Sequence, residues 1–123
     1  MLPRDKVLYS YVDCQAGDDV VTDFFSFYCL PSSILQHSDY DTLWVAYSFY
    51  NVSTTGRLQE GMADLLKYAK EAQFDVFNCL DVMENSSFLE NLKFGVGDGL
   101  LHYYLYNWRI RDIQPKDLGI VLV

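Results

Sequence analysis

A chain of 123 residues, half of them hydrophobic and 21% charged, has the size of one domain and enough apolar side chain to bury a core, which excludes a disordered tail. Seventeen acidic residues against nine basic give a formal charge of −8, the wrong sign for neutralising phosphates, so an independent nucleic-acid binder is argued against and a cationic partner suits better. No apolar run approaches the roughly 18–20 residues of a membrane span, and the first residues lack the apolar core of a secretory signal. Cys14, Cys29 and Cys79 match no zinc or disulfide spacing, so reduced thiols in a cytoplasmic protein are expected. The two histidines, His37 and His102, form no metal pair by spacing.

Residues 7–12 read as a strand, and the polar stretch 13–19 around Gly17 as a turn. Residues 20–29 read as a second strand, with Val21, Asp23, Phe25, Phe27 and Cys29 on one face and Val20, Thr22, Phe24, Ser26 and Tyr28 on the other. Neither face is cleanly polar, which predicts cover on both sides. Residues 32–42 form a polar connector without periodicity, and 43–52 a third strand rich in aromatics. Leu58, Met62, Leu65, Leu66 and Ala69 follow the spacing of one buried helical face. Gly61 inside that helix costs about 1 kcal/mol relative to Ala, so a close packing contact is expected there.

Residues 74–80 make a short apolar strand, and Ser87-Phe88-Leu89-Glu90 has capping-box spacing, which predicts a second helix from about Ser87. Residues 100–108 read as a long aromatic strand, and 119–123 as an apolar end suited to entering a sheet. The order β-β-β-α-β-α-β-β predicts an α+β fold with a mixed sheet and two main helices.

Motifs for nucleophilic catalysis or phosphate cradling are absent. Asp39, Asp41, Asp75 and Asp81 read as solvated loop residues or caps, and Cys79 as a small core residue. Two features stand out. In Lys93-Phe94-Gly95-Val96-Gly97-Asp98-Gly99, alternate glycines allow a tight turn or a close approach, and Asp98 either caps its own turn or is presented to a partner. The end Gly119-Ile120-Val121-Leu122-Val123 either leaves its carboxylate in water as an edge strand or carries it into a low-dielectric place where a cation meets it.

Val21-Thr22-Asp23-Phe24, Ser26-Phe27-Tyr28, Leu30-Pro31-Ser32, the run 46–52 (AYSFYNV), Phe74-Asp75-Val76-Phe77-Asn78, Asp81-Val82-Met83-Glu84-Asn85, the glycine motif and the run 103–108 (YYLYNW) resemble, in order, the carboxyl-terminal part of the N-myristoyltransferases. The resemblance implies a GNAT-like half, with residues 1–123 as the carboxyl-terminal peptide-binding domain and the amino-terminal acyl-CoA-binding half absent. It implies transfer of myristate from myristoyl-CoA to the amino-terminal glycine of a protein, the myristoyl-CoA being co-substrate of the complete enzyme and not held by this part.

By the same resemblance the terminal carboxylate, here on Val123, takes the proton of the glycine ammonium. Ser32, Leu43, Tyr47, Asn78, Asp98, Leu101 and Leu122 inherit peptide-groove roles. The expected partners are peptides beginning with glycine and carrying a basic residue downstream, together with the missing half. Because the oxyanion donors belong to that half, the isolated chain is expected not to turn over. A reading from another class stays open beside this one: a non-catalytic peptide-binding or scaffold module descended from the same half.

Overall fold

The computed structural model describes residues 2–36 and 38–122. Two compact units are present: a first running to Leu80 that Val121 and Leu122 rejoin, and a second, Asp81–Ile120.

The first unit is built on β1 (Leu8–Cys14), β2 (Val21–Cys29), β5 (Val45–Ser48) and β7 (Val76–Asn78), hydrogen-bonded in that order. The first two pairings are antiparallel and the last parallel, so the sheet is mixed as the element order predicts. The predicted third strand is one element in sequence and three in space. Its start, β4 (Thr42–Leu43), leaves the sheet to pair with β3 (Ser32–Ser33) as a small ribbon inside the supposed connector. Its end, β6 (Val52–Ser53), returns to β2 at Phe24 and Asp23, after an interruption at 49–51.

Helix α1 (Leu58–Glu71) lies on the face of β2 that carries Phe25 and Phe27, with Met62, Leu65 and Ala69 buried. Burying Met62 and Leu65 contributes roughly 1.5–3 kcal/mol each. Aromatic rings fill the layer between: Tyr9 stacks on Phe27 at 4.8 Å, Tyr11 on Tyr68 of the helix at 4.6 Å, and Phe74 and Phe77 meet Phe27 edge-on. A Cβ built on Gly61 would fall on the ring of Phe25. The glycine therefore lets helix and strand approach, which is the close packing contact its helix-interior cost predicts.

Both ends of α1 are held by side chains from elsewhere. At its start, the buried Asp23 carboxylate accepts hydrogen bonds from Thr55 Oγ1 at 2.8 Å and Thr54 N at 2.9 Å, fixing the turn that leads in. At its end, Gln73 adopts a left-handed conformation (φ 64°) and Phe74 N donates to Ala69 O, a Schellman closure. Lys6 Nζ donates to Ala72 O at 2.9 Å while lying over the rings of Trp44 and Phe74.

In the second unit, α2 is the single turn Ser86–Leu89, preceded by Asn85. Ser87 lies inside that turn with Oγ donating to Glu84 O, so the capping box expected from Ser87 does not form: the hydroxyl bonds back to the preceding carbonyl instead. Phe88 is fully buried and faces Phe94. Residues 100–108 form no strand, contrary to their propensity, because a strand needs a ladder partner and no ladder reaches them among the described residues. Tyr104 and Tyr106 are each 87% exposed. Residues 119–122 likewise join no ladder.

Two predictions follow from this packing. Gly61→Ala should lower stability by about 1–3 kcal/mol despite the better helix propensity of alanine, because the methyl overpacks against Phe25; urea unfolding measures it, and Phe25→Leu should recover part of the loss. Asp23 is pushed up by burial, but bonds from Thr55, Ser53 and the Thr54 and Thr55 amides outweigh that and hold it below the ordinary carboxylate value. A depressed folded-state pKa gives stability that is complete above the unfolded value of about 4 and is lost as pH falls through the folded one. Asp23→Asn should therefore be less stable at neutral pH and should show a flatter decline in urea midpoint on acidification below about pH 4.

Candidate functional site

On the face of the sheet opposite α1, in-register residues form a row across all four strands: Leu8 opposite Tyr28, Tyr28 opposite Tyr47, and Tyr47 opposite Asn78. Register partners share a face, so Tyr47 and Asn78, two of the predicted groove residues, stand side by side. The Tyr28 and Tyr47 rings stack at 5.3 Å, and Phe49 meets Tyr28 edge-on at 5.6 Å. Ser32 and Leu43, two further predicted residues, are register partners in the β3–β4 ribbon.

The interruption at 49–51 is held by polar groups buried in β2 and β5. Ser26 N donates to Asn51 Oδ1 at 3.0 Å, and Asn51 Nδ2 donates to Ser48 Oγ at 2.7 Å. Ser26 Oγ donates to Tyr50 O at 2.8 Å and accepts from Tyr50 N at 3.1 Å. These bonds replace the ladder that a continuous strand would supply.

Leu122, the predicted residue flanking the terminus, reaches this face through its main chain: Tyr28 Oη donates to Leu122 O at 3.1 Å. Val121 is buried, and its amide donates to Tyr50 Oη at 3.2 Å. The apolar end is thus tied to the sheet by tyrosine hydroxyls and not by the ladder its composition suggests. Val123, predicted to carry the catalytic carboxylate, lies outside the described residues.

Asp98 and Leu101 belong to the second unit, where both are exposed. Gly95, Gly97 and Gly99 have open space where a Cβ would stand, and none lies in the left-handed region. Among the described residues no close contact requires them; they leave room beside Asp98.

Tyr28 and Tyr50 were not singled out by sequence reasoning. Both lie in runs that carry the family resemblance, but their contacts with residues 121 and 122 span 94 and 71 residues, beyond any local pattern. A groove of about 350 Å³ beside β7, lined by Leu66, Ala69, Phe74 and Phe77 among others, contains none of the predicted site residues. Burial pushes the Cys29 thiol up although Lys6 opposes it. Among the described residues no cluster of His, Cys, Asp and Glu could hold a metal ion, and no helix is long and apolar enough to cross a membrane.

A mixed sheet with a parallel pair at β5 and β7, a connecting helix on one face and an interrupted strand beside β2 defines the GNAT-like fold. Acetyltransferases of low identity share it, among them one from Trypanosoma brucei at 13% identity with a TM-score of 0.61 over 81% of this chain and 70% of that one. Residues 1–121 match the family described as myristoyl-CoA:protein N-myristoyltransferase, C-terminal domain, and the chain belongs to that family. It is 52% identical to glycylpeptide N-tetradecanoyltransferase 1 of Arabidopsis thaliana over all of this chain and 29% of the relative, and 48% identical to glycylpeptide N-tetradecanoyltransferase 2 of Danio rerio over 98% of this chain and 24% of the relative. The solved N-myristoyltransferase of Saccharomyces cerevisiae with bound myristoyl-CoA is 39% identical, with a TM-score of 0.73 over 76% of this chain and 26% of that one. The chain therefore spans about a quarter of the length of the curated relatives it matches.

Proposed function

We propose that this chain is the peptide-binding part of a cytoplasmic glycylpeptide N-tetradecanoyltransferase, which moves myristate from myristoyl-CoA to the amino-terminal glycine of proteins. The family match over residues 1–121 carries the reading. The peptide lies against the face bearing Tyr47 and Asn78, with Ser32 and Leu43 at the ribbon and Leu122 alongside. Asp98 meets a basic residue downstream of the glycine, and Leu101 is a further peptide-binding residue. The exposed apolar residues of 100–113 support a larger assembly over a free-standing module, since isolated domains rarely leave so much apolar surface in water.

The reaction makes a C–N bond between the glycine nitrogen and the thioester carbonyl carbon, and breaks the C–S bond to release CoA. The nitrogen must first lose a proton. A free α-carboxyl has a pKa near ~3.5 and a free α-amine near ~7.8, so transfer from the ammonium to the Val123 carboxylate is uphill by about 4.3 units, or roughly 6 kcal/mol. Burial disfavours both charged forms and narrows that gap from both ends. Val121 is buried, whereas Ile120 and Leu122 are about half exposed in this chain, so a dry site there would be completed by the missing half and the bound peptide. The acyl-CoA site and the donors for the tetrahedral oxyanion lie in the amino-terminal half of the complete enzyme, where their absence would remove one of the larger catalytic contributions.

In the complete enzyme, assayed with myristoyl-CoA and a glycine peptide, appending a few residues after Val123 should cut the single-turnover rate by orders of magnitude while acyl-CoA binding stays near normal. Val123→Leu should be nearly silent because it keeps the carboxylate. The role requires a free carboxylate on Val123 in the purified protein, which its intact mass reads directly; full turnover by the extended variant would assign the base to another group. Asp98→Asn should raise the Michaelis constant for lysine-bearing peptides by roughly one-and-a-half- to fivefold, an exposed ion pair's worth, and that for neutral peptides less. Equal effects on both peptides would remove Asp98 from recognition of the basic residue.

A further inference from the structure

Residues 121 and 122 join no ladder, yet their main chain is held at two consecutive residues by bonds of opposite polarity. Val121 N donates to Tyr50 Oη, and Leu122 O accepts from Tyr28 Oη. One bond alone would leave the segment free to pivot; two fix its direction as well as its place. Each phenol is itself fixed. Tyr50 is bonded through both its N and its O to the hydroxyl of Ser26, which is fully buried. The Tyr28 ring is stacked on Tyr47 and met edge-on by Phe49, and Phe49 in turn lies against Tyr50 at 4.6 Å. Ser26 and Tyr28 are two residues apart on one face of β2, so a single strand mounts both arms.

We infer that Tyr28 and Tyr50 are positioning residues for acyl transfer: a two-point clamp on the main chain of residues 121 and 122 that sets where the group on the next residue, Val123, stands relative to the peptide face. The inference rests on the function proposed above. Neither phenol needs to touch the reacting atoms. Each acts through the segment it holds, and the benefit is a base kept in near-attack geometry.

The test uses the complete enzyme with Tyr28→Phe, Tyr50→Phe and the double variant, which keep the rings and remove only the hydroxyls. Each single change should lower kcat roughly threefold to tenfold, the equivalent of one net hydrogen bond, and the double change should lower it further. The peptide KM should stay within about twofold, because ground-state binding is not what the clamp supplies. Amide exchange at Val121 should quicken in Tyr50→Phe. Tyr11→Phe, whose ring stacks on α1 at the other face, serves as the control with unchanged kcat. Unchanged exchange at Val121 in Tyr50→Phe overturns the clamp. Faster exchange with unchanged kcat in the double variant overturns the positioning role while leaving the acyltransferase reading standing. That reading fails separately, if the parent enzyme acylates no glycine peptide.

Discussion

Ser26 is a polar residue in the middle of the central strand with no exposure to water, and the arrangement of the site depends on its being fully paired. An unmet hydroxyl there would cost roughly 1–3 kcal/mol. Its oxygen instead bonds to both main-chain groups of Tyr50, and its amide to the side chain of Asn51. These contacts let β5 stop and β6 begin without orphaned polar groups, so the interruption is a stable part of the sheet. The same contacts set Tyr50, which reaches Val121, beside Phe49, which braces Tyr28.

Tyrosine rings pack on both faces of the sheet, all four half-buried. On the helix side, Tyr9 and Tyr11 stack in the aromatic layer, where burial pushes both phenols up, and Tyr9 Oη also donates to Asp5 Oδ1 and accepts from Lys6 N. On the other side, Tyr28 and Tyr50 combine apolar ring packing with a hydroxyl that finds a main-chain partner. Surface charge contributes little to this scaffold. The pairs Arg57–Asp13, Arg57–Glu60 and Lys67–Asp64 are more than half exposed, where ion pairs are worth little. The acidic excess acts at longer range, on what approaches the molecule.

Much of the first unit is legible in the sequence because its signals are local. Alternation in β2 separates the face that meets α1 from the face that carries the site, the helical spacing from Leu58 to Ala69 marks the buried stripe, and Gly61 marks a close approach without naming Phe25 as its cause. The interruption after Ser48 is not legible: Phe49 and Tyr50 are good strand formers, and what ends the ladder is a hydroxyl 24 residues away. Residues 100–108 fail for the complementary reason, since propensity registers how well a side chain suits a strand and not whether a neighbouring strand exists. Among the candidate residues, Tyr47, Asn78, Ser32 and Leu43 enter through family resemblance; their pairing across β5–β7 and β3–β4 is visible only in the fold. Tyr28 and Tyr50 carry no local signal at all, because what distinguishes them is a partner at the far end of the chain.

That distance has a consequence for biogenesis. The Tyr28–Leu122 hydrogen bond spans 94 residues, and the whole of Asp81–Ile120 is translated between the sheet and the segment that rejoins it. A ribosome making this chain releases β1 through β7 while residues 121 and 122 are still unmade or inside the exit tunnel. The nascent sheet therefore emerges with Tyr28 and Tyr50 in contact with water in place of their main-chain partners. The tyrosine contacts close only after the second unit has been synthesised, so the two sides of each bond are separated in time as well as in sequence.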